Sequence, residues 1–181
     1  MPCAGFGDHG ALYCAALQHF PAPEGVAACI TIRAPLFDQE RVAVECVVKW
    51  GGEMSFVAET ESGHKVVMDA SPEVGGQNLG ARPMELMLAS TGGCSGIDVI
   101  MILKKARQQV TGCEIRLSGE RAATDPKVFT RIHLHYVVTG VGLKGDIVDR
   151  AVRLSADKYC SASAMLAKSA QVTHDWEIVE A

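Results

Sequence analysis

The chain has 181 residues, enough for one domain with an arm, and its 48% hydrophobic and 21% charged residues are ordinary for a globular protein. A net charge of -4 argues against nucleic acid as the main partner. The seven cysteines lack C-x-x-C spacing and no secretory signal is recognisable, so we expect free thiols in a reducing cytoplasm.

The first forty or so residues differ from the rest because glycine and proline divide them into short pieces. Cys3, Cys14 and Cys29 have no histidine or carboxylate at metal-ligand spacing. We therefore predict an N-terminal arm or extension of unknown role over residues 1–41, followed by a domain over residues 42–181.

Three short strands are expected to open the domain. A valine-rich stretch at 42–50 precedes a Gly-Gly pair typical of a hairpin turn, and two further strand patterns follow at 54–60 and 65–69. Residues 70–81 contain proline and several glycines, which predicts a loop.

The stretch 82–107 predicts one long, mostly apolar helix. Pro83 suits its first turn, Glu85 suits the positive end of the helix dipole, and basic residues cluster at the other end. Glycines and Asp98 interrupt the apolar run, which favours a helix buried on most sides over a membrane span. Three glycines surround Cys94, so we expect another helix, a partner subunit or a small ligand to approach the backbone there.

After this helix, with Gly112 as its predicted stop, two strands, an amphipathic helix, a short helix and a last strand are expected at 114–122, 128–139, 146–158, 161–167 and 171–179. Ser161 is the predicted N-cap of the short helix. Runs of strands separated by helices, with hairpins inside the runs, indicate an α+β architecture in which sheet covers helix.

His133 and His135 lie on the same side of the second of these strands. An H-x-H pair can bind a metal, but no further ligand is apparent in the sequence. A solvated or interface strand face is therefore the preferred interpretation, and neither a metal nor another cofactor is predicted.

Two of the seven cysteines are candidates for chemistry. Cys94 lies in the glycine-rich helix, and Cys160 lies just before a predicted helix N-terminus, where partial positive charge lowers the pKa of a thiol. Asp98 follows Cys94 by one helical turn and is expected to raise the pKa of that thiol. The alternative is that both cysteines are small buried hydrophobes, which is the commoner role.

Residues 42–181 resemble the OsmC/Ohr family (osmotically inducible protein C and organic hydroperoxide resistance proteins), with the YhfA-like branch as the best match. The resemblance rests on three motifs in order: Arg82-Pro83-Met84-Glu85, Gly92-Gly93-Cys94-Ser95-Gly96-Ile97-Asp98-Val99 and Asp157-Lys158-Tyr159-Cys160-Ser161. It implies an α+β fold with antiparallel sheets wrapped around two central helices. It also implies an intertwined homodimer with active sites at the subunit interface.

The resemblance further implies a cytoplasmic, thiol-dependent reduction of organic hydroperoxides that needs no metal or cofactor. Cys94 would be the peroxidatic nucleophile, Cys160 would resolve the oxidised sulfur as a disulfide, and Glu85 is the candidate helix carboxylate. A thiol reductant would regenerate the enzyme. An apolar pocket lined by Met87, Met101 and Tyr159 would favour organic peroxides.

Two positions depart from the family pattern. Family members carry glutamate directly after the proline that begins the long helix, where this chain has Met84, and an arginine at the first hairpin, where Lys49 is the only base. Two alternatives stay open for this reason: a weakly active or non-catalytic ligand-binding dimer, and a thiol redox sensor that forms the same disulfide.

Overall fold

The computed structural model describes residues 43–181, and the predicted arm at 1–41 lies outside them. Two three-stranded sheets, one long helix and two shorter helices make up this part of the chain. The elements are β1 (Cys46–Gly52), β2 (Ser55–Thr60), β3 (Lys65–Met68), α1 (Pro83–Lys105), β4 (Gln109–Arg121), β5 (Phe129–Val141), α2 (Gly145–Leu154), a π-helical turn (Ser155–Tyr159), α3 (Ser161–Leu166) and β6 (Gln171–Glu180). The predicted α+β class is confirmed.

The first sheet is the predicted meander, with β2 between β1 and β3 and both pairs antiparallel. Its apolar side chains are largely exposed, and Trp50 and Val48 keep 68% and 54% of their accessible surface. Isolated small sheets gain little stability without a packed face. Sheet 1 therefore has more apolar surface than the described part of this chain covers.

Asp69 anchors the loop that connects β3 to α1. Its carboxylate accepts hydrogen bonds from the backbone N–H groups of Ala70 (2.8 Å), Gln77 (2.8 Å) and Leu79 (3.0 Å). These bonds, with that of Leu79 the most important, hold the pKa of Asp69 below its usual value. The sequence predicted this loop but gave no sign of the buried carboxylate that shapes it.

The second sheet has the strand order β4-β5-β6, and its β5–β6 pair is parallel. This pair corrects the expectation that both sheets are wholly antiparallel. The chain passes through α2 and α3 between these strands, and such a helical crossover returns the chain in the same direction. The predicted alternation in β5 is confirmed, with its buried residues including Ile132, Leu134, Tyr136 and Val138.

The core lies between the inner face of sheet 2 and the helices α1 and α2. A Cβ at Gly92 would lie 2.7 Å from Leu117 Cδ1, and a Cβ at Gly96 would lie 2.8 Å from Ile115 Cδ1. At these two glycines, side chains of β4 therefore make the close approach to the α1 backbone that was expected around Cys94. Gly93 has no such neighbour within 4 Å.

Helix α1 has nearly the predicted bounds, but it is not buried on most sides. Its buried residues form one face, and Met87, Ile97 and Met101 on another face are 42%, 65% and 48% exposed. The sequence pattern could not distinguish burial within one chain from burial between two. By length and composition α1 is also the one helix in residues 43–181 that could cross a membrane, a property that core helices share.

Three local boundaries differ from the predictions. Helix α1 ends at Lys105, and Arg107 then adopts φ 57°, so that Gly112 lies in a strand bulge rather than at the helix stop. Helix α2 ends at Leu154 and continues as the π-helical turn. The N-cap of α3 is Cys160 instead of Ser161, because the Cys160 sulfur accepts the hydrogen bond from the third helical residue.

Two glycines of the β4–β5 pair provide a matched test of this packing. An added Cβ would lie 2.3 Å from the Gln109 carbonyl oxygen at Gly140, but 3.4 Å from its nearest neighbour, Thr139, at Gly112. We expect Gly140→Ala to lower the free energy of unfolding by about 2 kcal/mol, and Gly112→Ala to change it by less than about 1 kcal/mol. Equal effects in urea denaturation would contradict this strand register.

Candidate active site

The structure brings Cys94 and Cys160 together. Helix α1 supplies Cys94, and the junction between the π-helical turn and α3 supplies Cys160. The two thiols are close enough for each to shift the pKa of the other, and both are free. The sequence left open whether these two residues, 66 positions apart, lie close together, and the fold places them side by side.

Cys94 is half-buried, and its thiol has a lowered pKa. The main cause is a hydrogen bond from the backbone N–H of Ala162, and the side chains of Cys160 and Ser161 act in the same direction. Burial and the charge of Asp98 oppose this shift. The predicted effect of Asp98 is therefore present, but donors from α3 outweigh it.

Cys160 has the opposite character, because only 1% of its surface is exposed. Its sulfur accepts hydrogen bonds from Ser163 N (3.4 Å) and Ser163 Oγ (3.2 Å). Burial, assisted by the neighbouring Cys94, nevertheless raises the pKa of this thiol. The sequence argument gave Cys160 a lowered pKa, and this was wrong because burial outweighs the hydrogen bonds that Cys160 accepts at the start of α3.

A chain of buried hydroxyl groups links the elements that carry the two cysteines. Ser95 Oγ contacts both Tyr136 Oη and Ser155 Oγ, the latter at 2.7 Å, and Ser155 Oγ donates to Asp98 Oδ2 at 3.2 Å. Ser95, Tyr136 and Ser155 are each at most 1% exposed. Sequence analysis missed this network, although polar residues at core positions of β5, α1 and the end of α2 were its signal.

Glu85 and Lys49, the charged groups considered from the sequence, make other contacts. The Glu85 carboxylate accepts from Arg82 N and from Arg82 Nη1, each at 3.0 Å, and so forms a capping box at the start of α1. It lies nine positions before Cys94, about 13.5 Å along the helix axis. Lys49 pairs with Glu59 at 2.7 Å. The structure does not bring either group to Cys94 within the described chain.

An apolar groove of about 490 Å³ runs along the exposed face of α1. Its lining includes Met101 and Cys113, together with Gly92, Gly93, Gly96, Ile97, Ile100, Lys104 and Ile115. Of the three residues expected to line a pocket beside Cys94, only Met101 belongs to this groove. Met87 is exposed, and Tyr159 is 49% exposed with the Lys158 ammonium 5.4 Å from its ring centre.

The histidines of β5 lie against carboxylates on the outer face of sheet 2. His135 Nδ1 lies 2.6 Å and His133 Nε2 lies 3.3 Å from Asp175 Oδ1, and His135 Nε2 lies 3.4 Å from Glu177. The hydrogen bond with Asp175 raises the pKa of His135. Within residues 43–181, no group of three or more histidine, cysteine or carboxylate side chains is placed to hold a metal ion.

Comparison with known proteins relates this geometry to one family. The family of OsmC-like proteins matches residues 75–175. Protein YhfA of Escherichia coli K12 is 46% identical over 134 residues, which are 74% of this chain and 97% of that protein. A hypothetical protein from Aquifex aeolicus VF5 has a crystal structure with TM-score 0.69 and 34% identity, covering 77% of this chain and 98% of that one.

The fold also matches more distant structures. One is described as an organic hydroperoxide resistance protein OsmC, predicted redox protein and regulator of sulfide bond formation from Legionella pneumophila. It has TM-score 0.58 and 17% identity, and the match covers 80% of this chain and 99% of that one. At this identity the likeness concerns the fold.

The Asp98 carboxylate provides a test of the electrostatics at Cys94. Its negative charge disfavours the thiolate, so Asp98→Asn is expected to lower the pKa of Cys94 further and to increase its alkylation rate near neutral pH a few-fold. The measurement is the pH dependence of iodoacetamide alkylation at Cys94, located by mass spectrometry. Asp149→Asn, at a carboxylate paired with Arg153, is the control. A slower reaction in Asp98→Asn would contradict the assigned sign.

Proposed function

Because the chain belongs to the family of OsmC-like proteins, we propose that it is a thiol-dependent peroxidase that reduces organic hydroperoxides with Cys94 and Cys160. The observation that carries this proposal is the unequal pair of thiols. Cys94 is accessible and has a lowered pKa, as a nucleophile requires, whereas Cys160 is buried beside it. The family includes structures described as organic hydroperoxide resistance proteins, which supports this substrate class.

In the first step the Cys94 thiolate attacks the distal oxygen of the hydroperoxide. The O–O bond breaks, the alkoxide takes a proton and leaves as an alcohol, and the sulfur becomes a sulfenic acid. The N–H of Ala162 stabilises the thiolate that starts this reaction.

In the second step the Cys160 thiolate attacks the Cys94 sulfur. The S–O bond breaks, the departing hydroxide takes up the proton that the Cys160 thiol released and leaves as water, and a Cys94–Cys160 disulfide forms. The proximity of the two thiols, each of which shifts the pKa of the other, supports this step. A small thiol or dithiol reductant then restores both thiols.

A second copy of this chain is part of the proposal. The exposed face of α1 and the exposed side chains of sheet 1 form apolar surface that one copy leaves open. A homodimer would cover this surface beside Cys94. In one chain, about 13.5 Å of helix separates Glu85 from Cys94. Glu85 can therefore contribute a carboxylate to the proposed site only from the second subunit.

The weakly active ligand-binding dimer remains as a second candidate, and one observation favours it. Among the groups that shift the pKa of Cys94 in residues 43–181 there is no arginine, lysine or histidine. The groove of about 490 Å³ beside α1 would be its ligand site. A redox sensor with the same disulfide would differ from a peroxidase in turnover. All three candidates would operate in a reducing compartment such as the cytoplasm, where both cysteines start as thiols.

The peroxidase proposal is tested by treating the reduced protein briefly with a near-stoichiometric amount of cumene hydroperoxide and then blocking free thiols. We expect mass spectrometry to find a Cys94–Cys160 disulfide that Cys94→Ser abolishes. Catalytic consumption of the peroxide with a dithiol would separate the enzyme from a sensor. Two cysteines that stay free would refute the peroxidase and leave the ligand-binding dimer.

The dimer is tested at Ile97, which is 65% exposed on the open face of α1. Ile97→Glu should convert the protein to monomer in analytical ultracentrifugation, because a buried unpaired charge costs several kcal/mol. Val128→Glu places the same charge on an apolar residue in the β4–β5 connection, and it should leave the dimer intact. An unchanged mass for both variants would exclude this face as the interface.

A further inference from the structure

The two sulfurs of the site have separate hydrogen-bond donors from three consecutive residues. Ser161 and the N–H of Ala162 donate to Cys94, whereas the N–H and the hydroxyl of Ser163 donate to Cys160 at 3.4 and 3.2 Å. Each sulfur therefore has its own hydrogen-bond donors to stabilise it as a thiolate. The donors to Cys94 serve the attack on peroxide, and the donors to Cys160 serve any step in which the buried sulfur carries negative charge, whether it attacks or leaves.

The contacts between Ser163 and Cys160 are local and do not depend on the state of Cys94. Cys160 is the N-cap of α3, and Ser163 is the third residue of that helix. Their geometry is set by the first turn of the helix, so it is retained when Cys160 forms a disulfide. Ser163 is itself only 5% exposed, which keeps water from replacing its hydroxyl.

Access decides which sulfur of the disulfide a reductant can attack. Thiol–disulfide exchange needs the incoming thiolate to reach one sulfur while the other leaves. Cys160 is 1% exposed and Cys94 is half-buried on the open side of α1. An external thiol therefore meets Cys94, and Cys160 must be the leaving group.

We propose that Ser163 stabilises Cys160 as the leaving thiolate when an external dithiol reduces the Cys94–Cys160 disulfide by attacking the Cys94 sulfur. This inference rests on the two-cysteine chemistry proposed above and assigns a residue and a direction to its reductive half. Ser163 contacts the reacting sulfur directly, so it acts as a catalytic residue in this step.

The reduction is a thiol–disulfide exchange followed by closure of the dithiol into a cyclic disulfide. One thiolate of the dithiol bonds to Cys94 Sγ, and the electron pair of the S–S bond passes to Cys160 Sγ, which later takes a proton from solvent. The second thiolate of the dithiol attacks the mixed disulfide and expels Cys94 as a thiolate. The dithiol has lost two electrons and become a cyclic disulfide, and both cysteines are reduced.

The chemistry of leaving groups explains why the buried sulfur needs two donors. A thiol with a higher pKa leaves more slowly, and burial raises the pKa of Cys160. The hydroxyl and N–H of Ser163 act in the opposite direction on that pKa. Hydrogen bonds to a charged acceptor are stronger than those to a neutral one, so their effect is largest when the thiolate forms.

Ser163→Ala tests the proposal in the full-length protein, with the disulfide prepared by diamide so that no peroxide is needed. We expect reduction by dithiothreitol to be slowed by about tenfold, the loss expected for one hydrogen bond to a charged group. The rate of iodoacetamide alkylation at Cys94 in the reduced protein, which also needs no peroxide, should fall much less. Equal slowing of both reactions, or of neither, would overturn the assignment.

Ser161→Ala is the matched control, because it removes the hydroxyl that serves the other sulfur. It should give the opposite ratio, with alkylation of Cys94 slowed more than reduction of the disulfide. Ser163→Thr restores a hydroxyl and should recover most of the reduction rate. Failure of Ser163→Thr to exceed Ser163→Ala would indicate a packing effect and overturn the proposal.

The direction of attack has its own measurement. Brief exposure of the diamide-oxidised protein to 2-mercaptoethanol, followed by acid quenching and alkylation, should give a mixed disulfide on Cys94 and an alkylated Cys160. A mixed disulfide on Cys160 would overturn the proposal. Since diamide forms the disulfide, these results are independent of whether a hydroperoxide oxidises the protein, and a failed peroxide assay would count against the proposed function alone.

Discussion

The hydroxyl groups of Ser95, Tyr136 and Ser155 are the constraint on which the site depends. Buried polar atoms are costly unless they are hydrogen-bonded, and these three satisfy one another across α1, β5 and the π-helical turn. Ser95 directly follows Cys94, and Ser155 lies in the turn that leads to Cys160. The arrangement that satisfies the hydroxyls therefore also sets the rotation of α1 and the start of α3, and with them the contact between the two sulfurs.

The contrast between the two thiols follows from where the donors and the solvent lie. Cys94 keeps a lowered pKa although Asp98 is close, because an N–H group and a hydroxyl from the start of α3 favour its charged form. Cys160 also accepts two hydrogen bonds, but its sulfur is shielded from solvent. Burial therefore outweighs the hydrogen bonds and raises the pKa of this thiol. One short helix thus contributes to opposite pKa shifts at two neighbouring sulfurs, and no cation is among the main causes of either shift in the described residues. This suits a nucleophile that must be charged at neutral pH beside a partner that reacts only after it.

Much of the fold could be predicted from local patterns. The alternation of β5, the long apolar α1 with Pro83 at its start, and the hairpins of sheet 1 are all signals carried by neighbouring residues. The parallel β5–β6 pair could not be predicted in this way, because it depends on how a crossover packs. The site was predictable only through its motifs. The N–H of Ala162 that activates Cys94 lies far along the chain, and no spacing rule assigns a donor to one of two adjacent sulfurs.

Helix α1 is weakly amphipathic because both of its sides are low in charge. Gly92 and Gly96 lie where the side chains of β4 approach, whereas Cys94 shares the less buried side with Ile97 and Met101, since residues seven positions apart differ by only about 20° around the helix. The sequence therefore resembles that of a helix buried all round. The exposed apolar residues of this side are those expected of a core that a single chain leaves incomplete. Because Cys94 belongs to the same side, a second copy packed against it would bring its own side chains next to the thiol, which links assembly of the proposed dimer to its chemistry.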